Sequence, residues 1–508
     1  MIAKFKAARK VAVPLVAITT QDQPATVAEL ATFGRNGSTA VVSWDISRGA
    51  IATRYEDPER AGEYRVNEPA QIAITAQFGD DARYSTTNLP EFLGGVVQFP
   101  ERCIVILLNA QRYLTNDAVV QGICNLRDEY TRTGSTLVLL GPVFNLPAEL
   151  AGDVYVIDEP LPTGDVLASV IAELTEDAGI EIASEEVYNG AAALTGLSKF
   201  SAEQATALSL VTGKLEQAGL WERKRQMINA QRGLTVEKEG PSFAQLAGLA
   251  NLKQYLRDIL NGPEPPCVVV FIDEIDKSVA GSGQGDTSGV SQDYNGTLLS
   301  YMQDREALGV LLLGPAGTGK SEVAKATGRE GGVITVRLDL GGMKGGLVGE
   351  SEQNLRQALK VIDAVGQGRI LVLATCNRIA SLTPELRRRF RQGTFFVDLP
   401  DDEERRAIWD LYLAKYELTE EPGDLLQHAW TGAEIRQCCD NAWRLKRSLK
   451  EAAEFVVPVS VSAAEEIKAL RQSASGRFIS ASYSGKFTAE RQAATPAPAR
   501  RRFEALSA

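Results

Sequence analysis

Histidine is almost missing from this sequence: His428 stands alone in 508 residues. The six cysteines, Cys103, Cys124, Cys267, Cys376, Cys438 and Cys439, form no C-x-x-C pair. Neither a zinc centre nor a disulfide framework is therefore expected, and the cysteine usage fits a reducing, cytoplasmic compartment. Long apolar runs are missing too. Stretches such as Cys267 to Ile272 and Val310 to Leu313 have the length of buried strands, far below the ~18 residues of a bilayer span, so no membrane contact is expected. Met1 to Lys10 is basic but has neither a long apolar stretch nor a small-residue cleavage site, so no secretory signal is expected. Positive charge is in deficit: 54 Lys and Arg face 65 Asp and Glu, a net charge of -11. Broad electrostatic binding to nucleic acid is not supported by that balance, which leaves room only for a local basic patch.

What remains is ordinary for a folded chain, 44% hydrophobic and 23% charged, and too long for a single core. Strand candidates at Val13 to Thr19, Ala40 to Trp44, Ile104 to Leu108, Leu137 to Leu140 and Val154 to Ile157 alternate with helical spacing, as in Asp117 to Arg132. That pattern predicts a parallel α/β sheet over 1–163. The Ala-, Leu- and Glu-rich stretch 164–235 predicts a helical subdomain, and 236–264 reads as a linker. A second α/β block is expected over 265–400, a helical block over 401–460, and a C-terminal helix with a flexible tail over 461–508.

Two patterns carry chemistry. Gly314-Pro315-Ala316-Gly317-Thr318-Gly319-Lys320-Ser321 fits G-x-x-x-x-G-K-[ST] in full, between the apolar strand Val310 to Leu313 and a helical segment. Glycines let backbone N–H groups close around phosphate oxygens at a helix N-terminus. Lys320 would reach the β- and γ-phosphates of ATP, and the Ser321 hydroxyl would ligate Mg²⁺. The apolar run Val268 to Ile272 ends in Asp273-Glu274. In the same block as a phosphate loop, Asp273 is read as a metal ligand, direct or through water, and Glu274 as the base that activates the attacking water.

Here the residues resemble a known family. Pro266 to Lys277 looks like the second nucleotide motif of AAA+ ATPases. Leu347 to Arg356 resembles the segment before the family's second helix, Ala374-Thr375-Cys376-Asn377 its sensor strand with Asn377 as polar sensor, and Thr431 to Ile435 the start of a lid helix. Leu382 to Phe390 resembles the arginine-finger segment, which makes Arg387, Arg388 and Arg389 candidates to enter a neighbouring subunit's site. By that resemblance the fold is a P-loop NTPase sheet with a helical lid, and the assembly a homo-oligomeric ring, often of six subunits. Relatives thread polypeptide with an aromatic residue before Val-Gly-Glu, but Leu347 stands there. Met343, Lys344 and Leu347 are candidates to line a pore, and a functionless glycine-softened loop is an equal alternative. Arg436 could approach phosphate from the lid. His428 is given no role.

The order departs from the family's. Asp273 and Glu274 precede Lys320, and the helix Glu352 to Val365 runs straight into the sensor strand. We expect the usual spatial sheet with altered connectivity, which parallel sheets tolerate when crossovers stay right-handed. The first half shows neither Gly-Lys-Ser nor an acid pair. Thr19-Thr20-Gln21-Asp22 follows its first strand, Asn109-Ala110-Gln111 follows Ile104 to Leu108, and no hydrolysis is expected of it. Val42 to Gly49, with Trp44 as core or interface, Leu139 to Pro142, Leu146 to Leu150 and Glu159 to Pro162 are similar to plastid and cyanobacterial AAA proteins with a degenerate first ATPase domain. Gly248 to Lys253 and Ile467 to Ser482 extend that likeness. Three functions follow as expectations: an ATP-driven remodelling enzyme acting on a protein partner, a slow-turnover nucleotide-gated scaffold, and a DNA-linked motor resting only on Arg500 to Arg502.

Overall fold

Short runs of aliphatic and β-branched residues become the strands of two large sheets and two two-stranded pairs in the computed structural model. It describes residues 1–490 except 58, 59, 61, 80, 81, 212, 238, 239, 280–289, 344–349, 380, 381 and 383. The chain divides into two units, Met1–Lys224 and Arg225–Ala508.

In the first unit the strands are β1 (Leu15–Thr19), β2 (Val41–Asp45), β3 (Gly49–Ala52), β4 (Arg54–Glu56), β5 (Tyr64–Val66), β6 (Ile104–Leu107), β7 (Thr136–Gly141) and β8 (Tyr155–Asp158), followed by the minimal pair β9 (Leu210–Val211) and β10 (Lys214–Leu215). The main sheet runs β3-β2-β6-β7-β1-β8. It is parallel except for β3, which lies antiparallel on β2. β1, β6 and β7 are buried along their whole length, which explains their unbroken apolar sequences. The helix Asp117–Thr133 starts where the Asn116 side chain accepts from the amides of Ala118 and Val119, and buries Val119, Ile123, Leu126 and Tyr130. Trp44 belongs to the core: it is buried, stacks on Phe92, and donates its indole N–H to the Thr86 carbonyl. Helices Gly164–Asp177, Ser184–Leu194 and Lys199–Ser209 form a separate small core around Leu167, Ile171, Leu194 and Ala202.

The second unit contains β11 (Leu234–Val236), β12 (Val268–Ile272), β13 (Leu308–Leu313), β14 (Ile334–Leu338), β15 (Ile370–Cys376), β16 (Gly393–Phe396) and β17 (Ile479–Ser480), in the order β11-β14-β12-β15-β13-β16-β17. Only β11 is antiparallel. Two expectations need correction. The stretch 236–264 is not a free linker: β11 reaches into it and pairs with β14, and the helix Ala250–Leu260 buries Leu252 and Leu256 against the sheet. The apolar i, i+4 spacing of Leu252, Leu256 and Leu260 is the sequence signal of that buried face. The C-terminal stretch is likewise more than a helix and tail. After the helix Ala464–Ala474, β17 joins the sheet edge and Phe487 packs against Phe396. Arg500 to Arg502 lie outside the described residues. Helices Asp402–Lys415 and Gly432–Leu445 each begin with a capping box, Asp401 with Glu404 and Thr431 with Glu434, and bury Trp409, Trp430 and Ile435 in a core of their own.

Candidate nucleotide site

The apolar strand β13 ends at Leu313, and the chain turns through Gly314 to Gly319 into the helix Lys320–Glu330. Two glycines in that turn are required by space. A side chain at Gly314 would meet the Val397 carbonyl at 1.9 Å. Gly317 has φ +79°, and a Cβ there would sit 2.9 Å from the Thr431 hydroxyl at the start of the helix Gly432–Leu445. The amide of Ala433 in that helix donates to the Gly317 carbonyl at 3.2 Å. The loop is thus pressed between the segment after β16 and the helical layer, and its residues Ala316 to Ser321 line a cleft of about 690 Å³.

Lys320 is buried, and its Nζ donates to the carbonyls of Gly314 (2.8 Å) and Pro315 (2.6 Å), curling back over the loop. Burial pulls its pKa down to about 8, against the opposing pull of Cys376, Asp276, Asp273 and Glu274. Beside it, burial pushes the Cys376 thiol up to about 12.

β12 lies two strands from β13, with β15 between them, so Asp273 and Glu274 emerge beside the phosphate loop although they are encoded before it. The Ser321 hydroxyl donates to Asp273 Oδ1 at 2.9 Å, and the Thr375 hydroxyl donates to the same oxygen at 2.7 Å. Arg337, on β14, places Nη2 3.7 Å from Asp273 Oδ2. Glu274 stands at φ +48°, a left-handed conformation unusual for a side-chain-bearing residue. Its carboxylate accepts from Asn377 Nδ2 at 3.3 Å and pairs with Lys277 Nζ at 2.7 Å. Asn377 also donates its backbone N–H to Asp276 Oδ1 at 3.3 Å. One cleft therefore gathers Lys320, Ser321, Asp273, Glu274 and Asn377.

The remaining residues fall elsewhere. Arg387 and Arg388 are exposed, Arg389 donates to Gln303, and none of the three lines the cleft of its own chain. Arg436 does line it and hydrogen-bonds Tyr416. His428 is exposed and meets Trp430 edge-on. Met343 is buried and packs against Gly233, which removes it as a pore residue, while Lys344 and Leu347 lie outside the described residues. Sequence reasoning missed Arg337, which carries no local signal, and Thr375, whose signal was a hydroxyl two residues before the sensor asparagine.

A Gly-Lys-Ser turn on a parallel sheet, faced by a strand-end acid pair and capped by a helical layer, defines a P-loop nucleotide-binding fold. The family described as "ATPase family associated with various cellular activities (AAA)" matches residues 310–365, and that described as "SpoVK-like AAA ATPase, N-terminal domain" matches residues 1–159. The chain carries AAA ATPase domains and is homologous to the ycf46 AAA proteins. It is 23% identical to the AAA domain-containing protein ycf46 of Guillardia theta over 74% of this chain and 72% of that one. It is 26% identical to the cell division cycle protein 48 homolog of Archaeoglobus fulgidus over 32% of this chain and 29% of that one. To the proteasome-activating nucleotidase of Saccharolobus islandicus it is 26% identical over 30% of this chain and 53% of that one. Among the described residues no helix is long and apolar enough to cross a membrane, and all six cysteines are unpaired.

Proposed function

We propose that the chain is a Mg²⁺-dependent ATPase with one working site, in the second unit, and that hydrolysis drives the remodelling of a protein partner by a homo-oligomeric ring. The reading is carried by the convergence of Ser321 and Asp273, 2.9 Å apart, on the floor of the cleft that Lys320 and Glu274 also line. Both oxygens are hard donors of the kind Mg²⁺ takes, so Ser321 and Asp273 would hold the ion. Bound there, Mg²⁺ supplies charge neutralisation to the transferring phosphoryl group. Lys320 binds the phosphate chain, Gly314 to Gly319 close backbone amides around it, and Glu274 takes the proton from the attacking water while Asn377 orients the glutamate. Of Arg387, Arg388 and Arg389, none of which lines its own cleft, the exposed Arg387 and Arg388 are available to a neighbour's, while Arg389 would first leave Gln303.

A second reading has its own support. The Glu274 carboxylate is held by both Lys277 and Asn377, and a base engaged in this way favours slow turnover until a partner frees it. This is the behaviour of a nucleotide-gated scaffold. The net charge of -11 does not favour a DNA-linked motor. Steady-state phosphate release decides the first proposal: activity well above that of Lys320→Ala supports it, and equal activity in the two sinks it. Strong stimulation by a protein partner in Lys277→Ala as in wild type would remove the gated reading.

A further inference from the structure

The two strands that build the site do not touch. β15 separates them, so the placement of the acid pair against the phosphate loop depends on what β15 presents at its C-terminal end. That end presents Thr375, which is buried. Its hydroxyl accepts from the backbone N–H of Glu274 at 2.8 Å and donates to Asp273 Oδ1 at 2.7 Å. A hydroxyl has one proton, and here that proton and one of its two acceptor lone pairs are engaged by the acid pair. Buried threonines in this chain such as Thr175, Thr206 and Thr327 instead bond back to their own helix. The result is a continuous line: Ser321 Oγ to Asp273 Oδ1, Asp273 Oδ1 to Thr375 Oγ1, Thr375 Oγ1 to Glu274 N.

The first unit supplies an internal control. There Leu107 pairs with Leu139 and Thr19 with Gly141, as Ile272 pairs with Ala374 and Leu313 with Cys376. By this register Leu108 and Asn109 stand where Asp273 and Glu274 do, and Asn109 shares the left-handed backbone, at φ +53°. The counterpart of Thr375 is Leu140, a buried core residue. The hydroxyl is present where the acids are and replaced by hydrocarbon where they are not.

We propose that Thr375 is a positioning residue of the nucleotide site: it holds Glu274 in its left-handed backbone conformation and fixes the Asp273 oxygen that faces Ser321. This rests on the ATPase reading above. The test compares full-length wild type, Thr375→Val, Thr375→Ser and Lys320→Ala. Valine keeps the shape of threonine and removes the hydroxyl. Thr375→Val should lower kcat roughly tenfold to a hundredfold with KM for ATP within about twofold, and should raise several-fold the Mg²⁺ concentration giving half-maximal binding of a fluorescent ATP analogue. Thr375→Ser should restore both. An unchanged kcat and Mg²⁺ requirement in Thr375→Val would overturn the proposal, as would a serine variant as impaired as the valine, or a fall in Tm large enough to account for the loss. If wild type hydrolyses no faster than Lys320→Ala, the ATPase reading fails. The Mg²⁺ dependence of binding then still decides the role of Thr375.

Discussion

Position by position, the first sheet (β3-β2-β6-β7-β1-β8) and the first six strands of the second (β11-β14-β12-β15-β13-β16, with β17 added beyond them) have the same plan: an antiparallel edge strand, then five parallel strands. They differ in chain order. In the first unit the central strand β6 follows β1, whereas in the second its counterpart β12 precedes β13. The comparison teaches that a parallel sheet specifies a site through which strand ends lie side by side, and the route of the connections is secondary. What the strand ends carry then decides the chemistry. Where the second unit has the glycine-rich turn Gly314 to Gly319, the first has Thr20 to Asp22. The Asp22 carboxylate caps the helix Gln23–Ala31 through Ala25 N and accepts from Phe200 N of the helix Lys199–Ser209, each at 3.2 Å. Where the second has Glu274, the first has Asn109, paired reciprocally with the Gln23 amide at 2.9 Å in both directions. In the first unit the turn after β1 thus carries a carboxylate engaged by two backbone amides, and the turn after β6 an amide pair.

Substitutions that break this contrast should rank by how directly they touch phosphate or water. Glu274→Gln is expected to lower kcat by roughly a hundredfold to a thousandfold with ATP binding retained. Asn109→Glu in the first unit should leave phosphate release unchanged, and a rise in turnover would show the first unit to be a dormant site rather than a filled one. Gly317→Ala should raise KM for ATP about tenfold, since its methyl meets Thr431 and its backbone conformation disfavours any side chain. Kinetics over a range of ATP concentrations would check it.

The fourth prediction concerns pH. In the proposed reading Lys320 would bind phosphate as the ammonium, and burial lowers its pKa from 10.5 to about 8. ATP affinity should therefore fall above pH 8, approaching about tenfold per unit, while Lys320→Ala shows a flat profile. Stability moves the other way. Between the folded and unfolded pKa values the unfolded chain binds more protons, so the penalty for burying the charge, present in full below pH 8, is relieved as pH rises toward 10.5. Nucleotide titrations and thermal melts at pH 7 and 9 would separate the two trends. The smallest effect is expected at Asp22. Asp22→Ala should cost the first unit about 1 kcal/mol through the lost helix cap and speed hydrogen exchange at the start of the helix Lys199–Ser209, with ATPase activity untouched.

Much of this was legible in the sequence because it was local. Gly314 to Ser321 declared itself by spacing, and Val268 to Glu274 by an apolar run ending in acids. What escaped was whatever depended on a partner strand. Thr375 looks like any strand threonine until β12 is laid beside it, and Arg337 reaches Asp273 only because β14 flanks β12. The edge strands β11 and β17 are three and two residues long, too short for a periodic signal, and their pairing is set by the sheet they join. Half of the role of Asp22 was hidden because Phe200, on the helix Lys199–Ser209, lies far along the chain.

The central claim is a single working site, assembled from acids encoded ahead of the loop they serve. Counting the nucleotide retained by the Glu274→Gln chain tests it most directly, by equilibrium dialysis with ATP and Mg²⁺ followed by identification of the bound nucleotide as ATP or ADP. The account predicts one ATP per chain, unhydrolysed. Two nucleotides per chain, or bound ADP formed at the wild-type rate, would contradict it.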